Sequence, residues 1–197
     1  VATSLNAKAA FPHDHPLALG VPGLYSRACA NRAICEADLV FFVGSHTGGQ
    51  VTHEWQIPPA GTPVIQLDIN PAELGRNYPL ALGLQGDAKA SLQAMIDGAS
   101  HLAEPHPPRA PWIARVQALV RNWRESVAPL AHSDERPIRP ERLCGELSAM
   151  RDAGHVLQFD RDDVIIAHVL QQLARFFFIH FADKRRNCTA NRTIGII

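Results

Sequence analysis

A glycine-rich loop, Gly44-Ser45-His46-Thr47-Gly48-Gly49, is the segment of the chain whose residue types best suit a ligand. It follows the apolar run 39–43, and loops that follow parallel strands offer free backbone N–H groups to anions. The glycines let a phosphate approach the backbone, and Ser45 and Thr47 add hydroxyl donors. Both standard phosphate-binding patterns, G-x-x-x-x-G-K-S/T and G-x-G-x-x-G, are absent. The spacing leaves two interpretations open, a nucleotide contact and, more favoured, a plain structural turn.

Polar residues also end the next strand pattern and begin the helical pattern after it. Asp68 and Asn70 close a second apolar run, and Gly86-Asp87 precedes a helix. Asp68 could accept a hydrogen bond from a ribose, but a cap for the helical turn that follows is favoured. Asp87 suits a helix N-cap first and a ligand contact second. Right-handed crossovers would place Gly44, Asp68 and Asn70 along one edge of a parallel sheet.

Metal-binding and nucleophilic motifs are weak or absent. His13-Asp14-His15 lies between two prolines with no third ligand near it in sequence, and residues 160–163 lack the glycine and terminal glutamate of a calcium loop. The 4 cysteines form no C-x-x-C pair, which indicates reduced thiols. The G-x-S-x-G, H-E-x-x-H and kinase motifs are missing. We therefore predict no catalytic residue and no metal ligand in this chain.

The composition is typical of an ordinary globular protein. Hydrophobic residues make up 46% of the 197 positions, and 19 basic side chains balance 19 acidic ones. A net charge of zero removes the electrostatic footprint of a nucleic-acid binder. The most apolar segment, residues 164–181, is interrupted by histidines, glutamines and an arginine, so its apolar part is too short to span a membrane. We predict a cytoplasmic protein with no nucleic-acid or membrane partner.

Alternating apolar runs and helical patterns in residues 1–103 predict an α/β fold, a Rossmann-like parallel sheet flanked by helices. The runs 39–43 and 63–69 are typical of strands buried on both faces. One helix is expected over about 24–37, and another begins after Asp87 with its apolar residues on one face. We expect about five parallel strands in this part of the chain.

The rest of the chain is predicted to be a helical extension. The proline-rich segment 104–111 indicates a linker, and helices are expected after it and from Pro140 onward. After about residue 155 the sequence pattern changes, with a strand-like stretch over 156–159 and a basic tail over 184–186. Because the first residue is Val rather than Met, we expect the sequence to be a piece of a longer protein.

Short motifs along the first hundred positions carry a family resemblance. They are Phe11-Pro12-His13-Asp14-His15-Pro16-Leu17, Gly23, Ala30-Asn31, Glu36-Ala37-Asp38-Leu39-Val40, Val43-Gly44-Ser45, Val64-Ile65-Gln66-Leu67-Asp68-Ile69-Asn70-Pro71-Ala72-Glu73-Leu74-Gly75 and Gly86-Asp87-Ala88. Each is weak alone, but their order resembles the central domain of thiamine-diphosphate-dependent enzymes of the acetolactate synthase large-subunit and benzoylformate decarboxylase type. The similarity continues loosely through residues 138–143.

The resemblance implies a three-domain parent enzyme. Residues 1–103 would form its central domain, truncated at the N-terminus, and 104–137 a linker and helix. Residues 138–197 would begin the pyrophosphate-binding domain and diverge after about residue 155. In that family thiamine diphosphate lies between the outer domains of neighbouring subunits, which implies a homo-oligomer. Its activating glutamate and its magnesium motif, Gly-Asp-Gly…Asn, belong to those outer domains. This fragment is therefore expected to hold neither cofactor, because its only Gly-Asp pair is followed by Ala88.

Some family members hold FAD or another adenine nucleotide, such as ADP, in the central domain. FAD-holding members carry Arg and Asp where this chain has His46 and Gly48, so the resemblance implies a degenerate, structural site. We predict a fragment of a thiamine-diphosphate-dependent 2-oxo acid lyase or carboligase whose central domain is a scaffold. The alternative is a stand-alone, non-catalytic nucleotide-binding module. The candidate cofactor-binding residues are Gly23, Gly44, Ser45, His46, Asp68, Asn70, Gly86 and Asp87.

Overall fold

The computed structural model describes residues 1–101, 109–152 and 194–196 of the chain. Helices and strands alternate in the first of these ranges, and helices make up most of the second. A single turn of 3-10 helix, Pro71–Glu73, follows the second strand. The elements are α1 (Ala28–Glu36), β1 (Leu39–Val43), β2 (Val64–Asp68), β3 (Leu82–Gln85), α2 (Ala88–Ala99), α3 (Ala110–Ala131), α4 (Pro140–Asp152) and β4 (Ile194–Ile196).

The strands form a parallel sheet in the order β3-β2-β1-β4. This confirms the predicted α/β class with a parallel sheet and flanking helices. The expected number of strands is wrong, because residues 1–101 contribute three strands rather than about five. Ala2 and Gly20 meet in an isolated parallel bridge only. Thr3 N–H still bonds to Gly20 O at 3.1 Å, but the chain then turns, with Ala7 N–H bonded to Ser4 O at 3.1 Å, and the pairing ends there.

The apolar runs become strands because burying them on both faces of the sheet removes much apolar surface from water. Phe42 of β1 and Leu67 of β2 have no exposed surface. The Tyr78 ring stacks on Phe42 with 5.8 Å between centroids, and its hydroxyl donates to Ile57 O at 2.8 Å. Each such large side chain contributes about 1.5–3 kcal/mol through burial. The core cluster consists of Ile34, Ala37, Val40, Phe42, Ile57 and Val64.

Helix α1 is shorter than predicted at both ends. The backbone N–H of Leu24 bonds to Gln50 O at 2.8 Å, and that of Arg27 bonds to Val21 O at 2.9 Å. These bonds hold the segment before Ala28 in a loop. The helix that remains buries Ala30 and Ile34.

Helix α2 begins as the sequence predicts. Asp87 is its N-cap, and the Asp87 side chain accepts a hydrogen bond from Ala90 N–H at 2.9 Å. The predicted apolar face is present but not covered by other described residues. Leu92, Met95 and Ile96 are 37%, 43% and 64% exposed.

The chain divides into two compact units, Val1–Val120 with Cys188–Ile197, and Arg121–Asn187. The first half of α3 belongs to the unit that contains the sheet, and its Val116 and Val120 are buried. The domain boundary predicted after residue 103 from the proline-rich composition stays a prediction. In the second unit, Arg142 lies 2.7 Å from Glu146 within α4 and 3.1 Å from Asp134.

Several predicted features lie outside the described residues: most of the linker 104–111, the strand-like stretch 156–159, the apolar segment 164–181 and the basic tail 184–186. Within the part of the chain that the structure describes, no helix combines the length and apolar character needed to cross a membrane.

Candidate functional site

A groove of about 350 Å³ lies at the carboxyl edge of the sheet. The structure brings six of the eight candidate residues into its lining, and it places Gly44, Asp68 and Asn70 at one edge as predicted. Ser45 and Gly23 are not among the lining residues. The groove is lined by Gly44, His46, Leu67, Asp68, Ile69, Asn70, Gly86, Asp87 and Ala88.

The two groove glycines use their backbone donors inside the protein. Gly44 N–H bonds to Leu67 O at 2.8 Å, and Gly86 N–H bonds to Asp68 O at 3.0 Å. Gly44 has a φ of +58°, and the space beside its Cα is open. A ligand could therefore approach the backbone closely at Gly44, but the amides of Gly44 and Gly86 are already engaged.

The loop hydroxyls also bond within the protein. Ser45 Oγ accepts from Thr47 N–H at 3.2 Å, and Thr47 Oγ1 accepts from Asn77 Nδ2 at 3.0 Å. Thr47 is 1% exposed and has a φ of +48°, so its hydroxyl faces the protein interior. The expectation that Thr47 offers a hydroxyl to a ligand is wrong, because the left-handed backbone turns this side chain inward.

The residue that caps the helical turn after β2 is not the one predicted. Asn70, not Asp68, caps the 3-10 helix, and its side chain accepts from Ala72 N–H at 3.1 Å. The Asp68 carboxylate accepts from Asn70 N–H at 2.9 Å and is 7% exposed. Asp68 thus fixes the turn and also lines the groove.

A buried glutamate that the sequence analysis did not single out bonds to His46. His46 Nδ1 lies 3.1 Å from Glu73 Oε2, and Arg76 Nη1 lies 3.0 Å from Glu73 Oε1. The His46 side chain is 78% exposed, whereas that of Glu73 is 9% exposed. The hydrogen bond from His46 and the charge of Arg76 hold the pKa of Glu73 below its usual range, although burial acts in the opposite direction.

Two amide side chains hold the backbone of this loop. Gln66, 1% exposed within β2, donates from Nε2 to Ser45 O at 3.1 Å and accepts from Gly75 N–H at 3.1 Å. Asn77 Nδ2 lies 3.0 Å from His46 O. The loop and the segment after β2 are therefore joined at several points, which fixes the backbone that carries His46.

Gly23 serves the packing of the loops. Its N–H bonds to Asn31 Oδ1 at 2.7 Å, and its φ is +89°. A Cβ at this position would lie 1.7 Å from Gln50 O. Only glycine fits this contact. The place of Gly23 among the cofactor-binding candidates stays a prediction, and it lies outside the groove.

Sequence reasoning missed Gln66, Glu73 and Asn77 as parts of the site. Gln66 could have been found, because a polar residue inside the apolar run 63–69 must be paired when buried. Glu73 and Asn77 carry no such signal, since their partners are reached only through the tertiary fold.

One of the two histidines that suggested a metal site, His15, has structural contacts. His15 Nδ1 accepts from Leu17 N–H at 3.1 Å, and the Phe11 ring meets the His15 ring edge-on at 4.9 Å. In residues 1–101, 109–152 and 194–196, no group of three or more His, Cys, Asp or Glu side chains is placed to hold a metal ion.

Comparison with known proteins identifies similar chains. Residues 1–95 match the family model described as thiamine pyrophosphate enzyme, central domain. The chain is 32% identical to a probable acetolactate synthase large subunit of Methanocaldococcus jannaschii over 75% of this chain and 24% of that protein. It is 27% identical to the corresponding protein of Methanococcus aeolicus over 90% of this chain and 30% of that protein. It is 26% identical to the glyoxylate carboligase of Escherichia coli O157:H7 over 93% of this chain and 30% of that protein. The chain thus spans less than a third of the length of these relatives.

Proposed function

We propose that this chain is the central-domain part of a thiamine-diphosphate-dependent enzyme acting on 2-oxo acids, because residues 1–95 match the family model described as thiamine pyrophosphate enzyme, central domain. The family match is the observation that carries the proposal. Relatives named acetolactate synthase and glyoxylate carboligase support carboligation or cleavage as the reaction class. The comparisons do not support the alternative of a stand-alone nucleotide-binding module.

We assign thiamine diphosphate and magnesium to the other domains of the parent enzyme. The described donors fit magnesium poorly, because Asp87 caps α2 through Ala90 and Asp68 accepts from Asn70 N–H. Magnesium in proteins favours near-octahedral oxygen coordination with several waters. No catalytic step is assigned to a residue of this chain, and its role is that of a scaffold in a cytoplasmic homo-oligomer.

The groove is proposed to be a degenerate nucleotide site. Its place at the carboxyl edge of a parallel sheet, where nucleotides bind in open α/β folds, supports a nucleotide. The amides of Gly44 and Gly86 are engaged internally, and no Lys or Arg is among the described residues that line the groove. Charge-assisted hydrogen bonds are roughly twice as strong as neutral ones, so a phosphate would be held weakly.

The proposal is tested by assaying the pure chain and a chimera. The 197-residue chain, supplied with pyruvate, thiamine diphosphate and magnesium, is expected to show no acetolactate formation. In the chimera, residues 1–95 replace the matching segment of the M. jannaschii relative, and we expect assembly and thiamine-dependent turnover to be retained. Turnover by the isolated chain would overturn the scaffold role. A chimera that assembles but has lost turnover would overturn the assignment to this enzyme class.

A further inference from the structure

We propose that His46 determines which ligands the groove accepts, and that it admits a phosphate-bearing ligand only when its imidazole is protonated. This inference rests on the proposed nucleotide site and adds a pH-dependent selection to it. The argument depends on how His46 is held and on which charges surround the groove.

The contact with Glu73 fixes which ring nitrogen of His46 is available. Nδ1 lies 3.1 Å from Glu73 Oε2, so in the neutral ring the proton is on Nδ1 and is donated to the carboxylate. Nε2 then carries a lone pair and can only accept a hydrogen bond. An unprotonated phosphate oxygen is also an acceptor, so the neutral ring offers it no bond. Protonation converts Nε2 into a charged donor without breaking the contact with Glu73.

Glu73 is suited to hold the ring throughout this change. Its carboxylate is 9% exposed and also bonds to Arg76, and Glu73 is not among the residues that line the groove. The hydrogen bond from His46 is the main cause that holds the pKa of Glu73 below its usual range. Glu73 therefore stays ionised over the pH range in which a histidine titrates, and it orients both forms of the ring.

The other charges at the groove explain why phosphate binding depends on the protonation state of His46. Glu73 and Arg76 approach His46 from the segment after β2, Asp68 lies at the end of β2, and Asp87 lies at the start of α2. Arg76 bonds to both carboxylate oxygens of Glu73, at 3.0 and 3.2 Å. With a neutral His46, the described charges that line the groove are the carboxylates of Asp68 and Asp87, which repel phosphate. Imidazolium at His46 supplies the groove with a cation and a charge-assisted donor.

The experiment measures binding of ADP and of adenosine to the full chain by titration calorimetry at about pH 5.5 and about pH 8. We expect ADP to bind about 10-fold more tightly at the lower pH, one charge-assisted hydrogen bond being worth about that factor. Adenosine, which has no phosphate, should bind equally at both. His46→Gln should remove the pH dependence, and His46→Arg should bind ADP at both pH values. His101→Gln, a change at an exposed histidine beyond α2, should leave the wild-type behaviour intact.

Each failure has a separate meaning. Equal ADP affinity at both pH values, or a pH dependence that survives in His46→Gln, would overturn the role of His46 while leaving the groove as a nucleotide site. Absence of binding by both adenosine and ADP at both pH values, with the circular dichroism of the folded chain unchanged, would overturn the proposed nucleotide site and this inference with it.

Discussion

Arg115 of α3 forms a two-pronged ion pair with Glu36, the last residue of α1, although 79 positions separate them in the chain. Arg115 Nε and Nη2 each lie 2.7 Å from a different carboxylate oxygen of Glu36. Arg32, one turn earlier in α1, also bonds to Glu36. The carboxylate of Glu36 thus joins the start of α3 to the end of α1 within the unit that contains the sheet.

Replacing Arg115 by alanine is expected to destabilise the sheet unit by about 0.5–1 kcal/mol, because the pair is well oriented but partly exposed and screened by solvent. The loss should shrink at high salt. Urea denaturation at low and high ionic strength measures both effects. Arg121→Ala removes an exposed arginine of the same helix that has no ion pair among the described residues, and it should have little effect. Equal losses in the two variants would contradict the role of the ion pair.

The same contact predicts how stability changes with acid. Hydrogen bonding to Arg115 is the main cause that lowers the pKa of Glu36 in the folded chain. A carboxyl whose folded pKa is depressed stabilises the fold above its unfolded pKa, about 4.3, and loses that contribution as the pH falls through the folded pKa. Glu36→Gln should therefore flatten the fall in urea midpoint between about pH 5 and pH 3. Glu125→Gln, at an exposed position of α3, should follow the wild-type curve.

Strands β1 and β2 and the cap of α2 could be predicted because their signals are local. The apolar runs are continuous, and Asp87 stands directly before a helical pattern, so neighbouring residues suffice to recognise them. The placement of Gly44, Asp68 and Asn70 at one edge of the sheet could be predicted from the right-handedness of crossover connections. That rule needs only the order of the elements along the chain.

The internal bonding of the site could not be predicted from local patterns. Glu73 meets His46, and Asn77 meets Thr47, only after the segment following β2 folds back onto the loop after β1. The expected number of strands was wrong for a related reason: Ala2 and Gly20 form only an isolated bridge, because the turn from Ser4 to Ala7 ends their pairing. Whether such a segment forms a strand depends on its pairing partners more than on the β-propensity of its residues.

Gln66 is expected to be the residue on which the loop carrying His46 depends most. Gln66→Met keeps the length of the side chain but leaves Ser45 O and Gly75 N–H without their present partner, which should cost about 1–3 kcal/mol. Gln85→Met makes the same exchange at an exposed position of β3 and should change stability by less than about 0.5 kcal/mol. Urea denaturation of the two variants compares the losses directly. A Gln66→Met chain as stable as Gln85→Met would show that the bonds of Gln66 contribute nothing net.

Near neutral pH, the groove is expected to bind ADP or FAD no more tightly than the high-micromolar range, about −5 to −6 kcal/mol. The physical reason is the set of groups at its surface. The amides of Gly44 and Gly86 are bonded to Leu67 O and Asp68 O, and the described lining contains two aspartates but no lysine or arginine. Titration calorimetry with both nucleotides measures the affinity, and Asp68→Asn, which removes one repelling charge, should strengthen binding of ADP severalfold more than binding of adenosine. A sub-micromolar affinity of the unmodified chain for FAD would mean that the groove is a complete cofactor site, and the description of it as degenerate would be wrong.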